Sequence, residues 1–452
     1  MKTIHEFLFR PAHPAALGLF RLLYGVILLV HLWDQWPHIA VNFIEPEFHF
    51  SYPGLSWIHP LPGAGMYVVH GLMAVLAVGI LLGIRFRTCL GAFLCLYLYT
   101  FLIDAAYYKN HYYLTFLTGM LLWFTPANYC FVFRAPERTV PCFSWHVYLI
   151  RFQFCVVYFY AGLAKLNWDW WYGEPVRHLL RAGAAAGKGG ILSPLYGLDI
   201  FIYLMIYGGA MFDLLVPFFL INRTTRKYAA LVAIFFHSCN HLIFPNILIF
   251  PFLMMFSLVV FFNSDWPTRN RFLKYYCKVS APESSEPTTR QRRWVPVLLG
   301  LYAAVQIALP LRHHLYPGDI FWTSQGEHFA WRMILKRERA NLKMYIVDPR
   351  TGEKFKPEEG LINFRQFIVM KTRPRFILQF AHYLARRSGI PGAKVYAENW
   401  HSINGREYQL KISPETDLTQ IRTSQSFLDW MAPFDKRLPA HIEDPDRAAA
   451  AK

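Results

Sequence analysis

The last third of this 452-residue chain contains no cysteine. All seven lie before residue 278, scattered and with no CxxC pair. That spacing indicates neither a disulfide framework nor a zinc site. The N-terminus, MKTIHEFLFRPAHP, lacks an apolar stretch followed by a small-residue cleavage site. The first hydrophobic segment is therefore expected to stay as a membrane helix. No internal repeat of roughly 20–50 residues is visible. Acidic residues are outnumbered, 29 against 46 Lys plus Arg, for a formal charge of +17. Such a charge raises nucleic acid as a partner. The basic residues, however, sit mostly in short loops and in the last third, which is a topology pattern and argues against nucleic acid.

What the chain has in abundance is apolar surface. It is 54% hydrophobic and 17% aromatic, with positive mean hydropathy. A soluble chain of this length rarely combines those values, so an α-helical polytopic membrane protein is expected. We read nine spans, at roughly 14–33, 65–84, 88–104, 112–126, 143–166, 198–221, 228–245, 247–263 and 293–312, with a tight turn at 244–246. With the N-terminus inside, the inner segments carry Lys2, Arg10, Arg85, Arg87, Arg134, Arg138, Arg223, Arg226, Lys227 and a cluster from Arg269 through Arg292. The outer loops carry only Lys109, Arg177, Arg181 and Lys188, and the 34–64 loop has no lysine or arginine. This asymmetry is positive-inside, and it places the C-terminal segment outside. The basic 264–292 loop reads better as a solvated cytoplasmic loop than as a lipid or nucleic-acid patch.

Two domains follow: a transmembrane catalytic domain over 1–312 and a small outer-side α+β domain over 313–452. In the latter, WRMILKRERANLKMYIVDPRTGEKF reads as two strands with a turn at Asp348–Gly352. RPRFILQFAHYLARRSG, residues 373–389, has helical spacing and ends at a glycine. KVYAENWHSINGREYQLKIS, residues 394–413, reads as a hairpin whose Asn404-Gly405 turn suits type I′.

The polar residues of the apolar segments converge. Lys165 ends the run FSWHVYLIRFQFCVVYFYAGLAKL and precedes the aromatic NWDWWYG. Asp104 ends the third span, Asn110 and His111 begin the fourth, and His237, Asn240 and His241 lie late in the seventh. The alternation of spans puts all of them on the outer side. Ionisable groups at membrane level are costly unless used. A partly desolvated lysine can serve as a base, returning later as an ammonium that stabilises an anion. A phenol- or quinol-like substrate suits that chemistry, with histidine donating or accepting and asparagine holding an oxyanion. The bland readings stand beside it. Lys165 could snorkel to the headgroups. His237, Asn240 and His241 could bond helix to helix, and their spacing suits a metal only with a third ligand, no acidic residue being in the motif. Arg21 and Arg151 read as structural, Asp104 as a helix cap or cation partner, and Asp213 has no assignable partner.

AGLAKLNWDW (161–170) resembles the segment carrying the essential lysine of the vitamin K-dependent γ-carboxylases. LIDAAYYKNHYYL (102–114) is similar to the family's Asp…Asn-His-x-Tyr-Leu segment, and FFHSCNHLIF (235–244) to its Phe-His-x-x-Asn segment. FWTSQGEHFAWRMILKRE (321–338) resembles the Trp…Ser-Trp-x-Met-Met region, and WHSINGREYQ and SPETDL continue the match in order. The resemblance implies an enzyme that uses reduced vitamin K, dioxygen and carbon dioxide, without a metal, to carboxylate glutamate side chains while the quinol becomes the epoxide. Lys165 is then the hydroquinone base and His111 assists. Asn110, Asp104, His237, Asn240, His241, Trp322 and Met333 are expected around the quinol and substrate. The implied partners are lipid, quinol and a Glu-containing protein or peptide on the outer face. Animal members are much longer, and the portion of their outer domain that handles propeptide-bearing substrates has no counterpart here. The family's domain-linking disulfide has no cysteine in the outer domain, and the one sequon, Asn222-Arg-Thr, falls on the inner side. These departures suggest a bacterial inner-membrane relative; in a eukaryote the membrane would be that of the endoplasmic reticulum. The alternatives are an uncoupled quinol epoxidase or oxidase, and a non-catalytic quinone- or lipid-binding protein or transporter.

Overall fold

The computed structural model describes residues 2–134, 141–185, 190–244, 247, 249–277 and 286–437. Arg138, Lys188, residues 245–246 of the expected tight turn and the 438–452 tail lie outside the described residues. The fold is mainly helical, with one small antiparallel sheet near the C-terminus. Each of the nine expected apolar segments forms helix, but only six are long and apolar enough to cross a bilayer: Ala15–His38, Gly65–Leu82, Phe86–Ile103, Ser144–Ala164, Asp199–Ile221 and Thr289–Leu315. The other three fall short for physical reasons. Asn110–Trp123 has 14 residues, a rise of about 21 Å against a hydrocarbon core of about 30 Å. Ile249–Val260 is shorter still. Arg226–Ile243 opens on Arg226 and Lys227 and carries His237, Asn240 and His241 late in its length.

One close helix approach positions Lys165. A Cβ on Gly162 would lie 2.6 Å from the Leu214 amide nitrogen, so only glycine lets Ser144–Ala164 press against Gly209–Ile221 at this level. Small residues permit such backbone contact between apolar helices. The approach carries Lys165, one helical turn on, to Asp213. At the other end of the helices, buried Arg21 donates to the carbonyls of Ala127, Ile80, Leu81, Cys130 and Phe131. Arg151 similarly donates to Val260 and Phe262. Both arginines satisfy loop and helix-end carbonyls, the structural role read from sequence.

The cysteines give a correction. Cys130 and Cys277, 147 residues apart, are disulfide-bonded. Their loops are brought together by a Phe131 N–H to Tyr276 carbonyl bond of 2.9 Å. Sequence spacing carries no trace of a pairing made by tertiary loop contact.

The sheet domain matches its sequence signals closely. Four strands, β1 (Glu338–Val347), β2 (Lys354–Phe355), β3 (Lys394–Ile403) and β4 (Gln409–Ile412), lie in the order β2-β1-β3-β4. All neighbours are antiparallel, and β1 and β3 pair from Glu338↔Ile403 to Val347↔Lys394. Gly352, at φ +73°, closes the β1–β2 turn by donating to Asp348. Asn404 (φ +51°) and Gly405 (φ +80°) both take the left-handed conformation that a type I′ turn demands. Helix Pro374–Arg387 covers the sheet with Phe376, Ile377, Phe380 and Leu384. The same apolar cluster continues into Ala105, Trp170, Ile202 and Ile206 of the helical part. The sheet domain is therefore seated on the helix ends rather than tethered beside them.

Candidate active site

A cavity of about 420 Å³ lies at that seam. Its deeper walls are apolar: Val157, Met205, Phe236, Phe250 and Met254. Its other end is polar, with Glu327, His328, Arg332 and Arg373 from the sheet domain and the segment leading into it. Between the two ends stand Lys165, Asp213, His111, His237, Asn110 and Asn240. Helix ends distant in sequence thus meet at one level.

Lys165 is 7% exposed, so it does not snorkel. It follows the last helical residue, Ala164, and its Nζ turns inward. There it donates to Asp213 Oδ2 at 2.6 Å and to the Ala161 carbonyl at 3.1 Å. The Trp170 ring lies 5.3 Å from the same nitrogen. Asp213 is the partner that sequence reasoning could not assign. A lone aspartate inside a long apolar helix was the available signal, since such a charge needs a counter-ion.

His237 Nε2 is 2.7 Å from the Tyr158 hydroxyl, while its Nδ1 is buried without a hydrogen-bond partner. Asn110 is less free than expected. Its Oδ1 accepts from the Tyr108 hydroxyl at 2.8 Å and its Nδ2 donates to the Arg332 carbonyl at 3.0 Å, leaving one amide hydrogen. His111 lines the cavity with its ring edge-on to Tyr112 at 4.7 Å. Met333 also lines it.

Three expected residues do not reach the cavity. Asp104 is consumed in structure: its Oδ1 accepts from the Ala106 amide at 2.8 Å and its Oδ2 from Gln366 Nε2 at 2.6 Å. Its carboxylate caps a turn instead of lining the pocket. His241 shares a helix face with His237 in outline, but the turn between them sends it against Phe252, at 5.0 Å. Trp322 is buried within the sheet domain, stacked on Phe434 at 4.9 Å with its indole N–H on the Ala432 carbonyl.

The polar end was missed. Glu327 Oε2 lies 3.0 Å from Arg373 and 3.2 Å from Lys336. Burial opposes its ionisation, but these cations prevail and hold the carboxyl down at about 2. His328, stacked on Tyr108 at 4.2 Å, is pushed down to about 3, first by burial and then by Arg373, so it is neutral at physiological pH. A depressed carboxyl contributes stability that is complete above its ordinary range and is lost as pH falls through the folded value. Glu327→Gln is therefore expected to flatten the loss of thermal stability between pH 4.5 and about 2. Unfolding scans of the purified chain across that range would show it; an unchanged acid limb would contradict the network.

Two family models match the chain. One is the HTTM domain, over residues 9–266. The other is the vitamin K-dependent gamma-carboxylase lumenal domain, over residues 291–437. The chain belongs to the vitamin K-dependent gamma-carboxylase family. Together with the six apolar helices, the HTTM match marks an integral membrane protein. The cavity of this gamma-carboxylase relative lies where the two matched regions meet, with Lys165 in the first and Arg332 in the second. No solved structure matches the chain.

Proposed function

We propose that the chain is a quinol-dependent γ-glutamyl carboxylase-like enzyme, coupling hydroquinone oxygenation to carboxylation of glutamate. The observation that carries this reading is the buried Lys165–Asp213 pair, 2.6 Å apart, facing an apolar cavity whose far end is cationic. An apolar wall suits a lipid-soluble ring and tail. Reduced vitamin K supplies the reducing power that makes a base strong enough for the glutamate γ-proton. The protein's part is proton handling and placement. Asp213 can hold the proton of the Lys165 ammonium, freeing the amine to take one from the substrate hydroxyl. His237 and His111 line the same cavity and can flank the ring. Arg332, its guanidinium 5.4 Å from the Phe321 ring, lines the polar end and can meet a carboxylate there.

The test is product analysis of purified protein given reduced vitamin K, labelled bicarbonate and a Glu-containing peptide. Epoxide together with labelled γ-carboxyglutamate is expected. Epoxide without carboxylation would select the uncoupled oxygenase. Neither product, with quinol binding demonstrated, would reject catalysis.

This reading keeps the alternation of all nine apolar segments, the three short ones reversing the chain within the helical part, and so puts the N-terminus inside, the sheet domain outside and the Lys165 level at the outer face, on the strength of the loop charges. Lys356 is exposed on the sheet domain. A Lys356→Cys variant in sealed right-side-out vesicles is expected to gain labelling by an impermeant maleimide over the wild type. Labelling only after the vesicles are opened would invert the topology.

A further inference from the structure

The Asn404–Arg406 turn does not line the cavity, yet it bonds to Asp169, next to the lining residue Trp170, and to Leu335 and Arg337, just beyond the lining residues Met333 and Ile334. Arg406 crosses from the sheet domain to the helical part with both Nη atoms. They meet Asp169 Oδ2 at 2.7 Å and Oδ1 at 2.8 Å. Asn404 Nδ2 donates to the same Oδ2 at 2.8 Å. Asp169, Asn404 and Arg406 are all buried.

Asp169 lies in the short turn Trp168–Trp171, just beyond Lys165, and Asn167 caps that turn by accepting from the Trp170 amide at 3.1 Å. Next to Asp169 is Trp170, the ring beside Lys165 Nζ. Its indole N–H is pinned to the Ile206 carbonyl at 2.9 Å. On the other side, Asn404 Oδ1 accepts from the Arg337 amide at 2.7 Å, and its Nδ2 also reaches the Leu335 carbonyl at 3.3 Å. Leu335–Arg337 is the chain that leaves the cavity wall at Met333 and Ile334.

The conformation of the turn makes this possible. Two successive left-handed residues fold the chain back so that the Asn404 amide and the Arg406 guanidinium converge on one carboxylate. Asparagine and glycine tolerate that backbone. A buried ion pair is weak evidence of stability, and its better-attested use is to fix register. The forked Arg–carboxylate geometry fixes orientation as well as distance.

We propose that Asn404 and Arg406 are positioning residues: through Asp169 and Trp170 they hold Lys165 against the cavity, and through residues 335–337 they hold the opposite wall to it. This rests on Lys165 being the reactive group, so the test includes readouts that need no turnover. The Arg406→Lys variant keeps the charge and loses the fork. The double variant Asp169→Asn/Arg406→Gln keeps a neutral hydrogen-bonded pair and serves where the single variant folds poorly.

Three measurements on the full chain in lipid nanodiscs decide it. They are kcat and KM for the quinol, the rate at which a lipophilic acylating reagent modifies Lys165, and amide exchange over 167–173. Arg406→Lys is expected to lower kcat about tenfold to a hundredfold, the range for a reacting group displaced by about an ångström. The quinol KM stays within about twofold. Lys165 acylation should rise several-fold, and exchange should quicken over 167–173 while β1 and β3 keep their protection. Unchanged acylation and exchange would overturn the proposal, whatever kcat does. So would protection lost across the whole sheet, which would make the pair a staple of the fold. If the wild type turns over no quinol, the functional reading fails by itself, and acylation and exchange still judge the positioning role.

Discussion

Lys165→Ala is expected to cut quinol oxygenation by about a hundredfold to ten-thousandfold, the usual cost of losing a general base. Stranding the buried Asp213 carboxylate costs stability, about 3–5 kcal/mol, but Gly162 and the helix contact it permits are untouched, so activity is compared per folded protein. Lys165→Arg should not restore activity. Arginine keeps the charge beside Asp213, but it does not give up its proton in a protein and so cannot take one from a hydroxyl. Its planar fork is also a poor replacement for an amine bonded at once to Asp213 and the Ala161 carbonyl. Epoxide formation from reduced vitamin K, normalised to folded protein, is the measurement. Near-normal rates in either variant would remove Lys165 from the chemistry.

The sequence made the sheet domain legible because its signals are local. The Asn404-Gly405 dipeptide, the Asp348–Gly352 turn and the glycine after Pro374–Arg387 each act within a few residues, and each appears where expected. The helices were legible as apolar runs, but their crossing of a bilayer was not. Asn110–Trp123 and Ile249–Val260 are apolar segments too short for it. Hydropathy finds apolar stretches wherever they lie, and packed helices around a cavity qualify as readily as spans.

At the site, Lys165, His111 and His237 could be named because membrane-level polar residues are scarce enough to stand out. Their partners could not. Asp213 is 48 residues from Lys165 and Arg406 is 237 from Asp169. Nothing in one chain's spacing links such positions. Glu327, Lys336 and Arg373 were hidden for the opposite reason: in a soluble region charged residues are ordinary, and only burial distinguishes these. Asp104, His241 and Trp322 show the converse error. They share motifs with cavity residues, but a turn of helix or a capping bond directs each side chain elsewhere.

The Asp213 variants should separate stability from chemistry. Asp213→Ala strands the Lys165 ammonium at a site 9% exposed. Removing one partner of a buried pair costs about 3–5 kcal/mol, since the remaining charge keeps its desolvation penalty. The Lys165→Met/Asp213→Leu double variant removes both charges and fills similar volume. Such replacements are often neutral, or stabilising by about 1–4 kcal/mol, so the double variant should unfold at or above the wild-type temperature and yet be inactive. Asp213→Asn is the most informative. It retains a hydrogen-bond acceptor for Nζ, so folding should be only modestly affected, but an amide cannot hold the lysine's proton. Quinol oxygenation is expected to fall about a hundredfold or more, with the quinol KM little changed because an asparagine side chain at this position keeps the shape of the wall. Thermal unfolding and epoxide formation, measured on the same preparations, test all three variants together. A fully active Asp213→Asn enzyme would show that the carboxylate only anchors Lys165. A double variant less stable than Asp213→Ala would show that the pair holds the two helices in register.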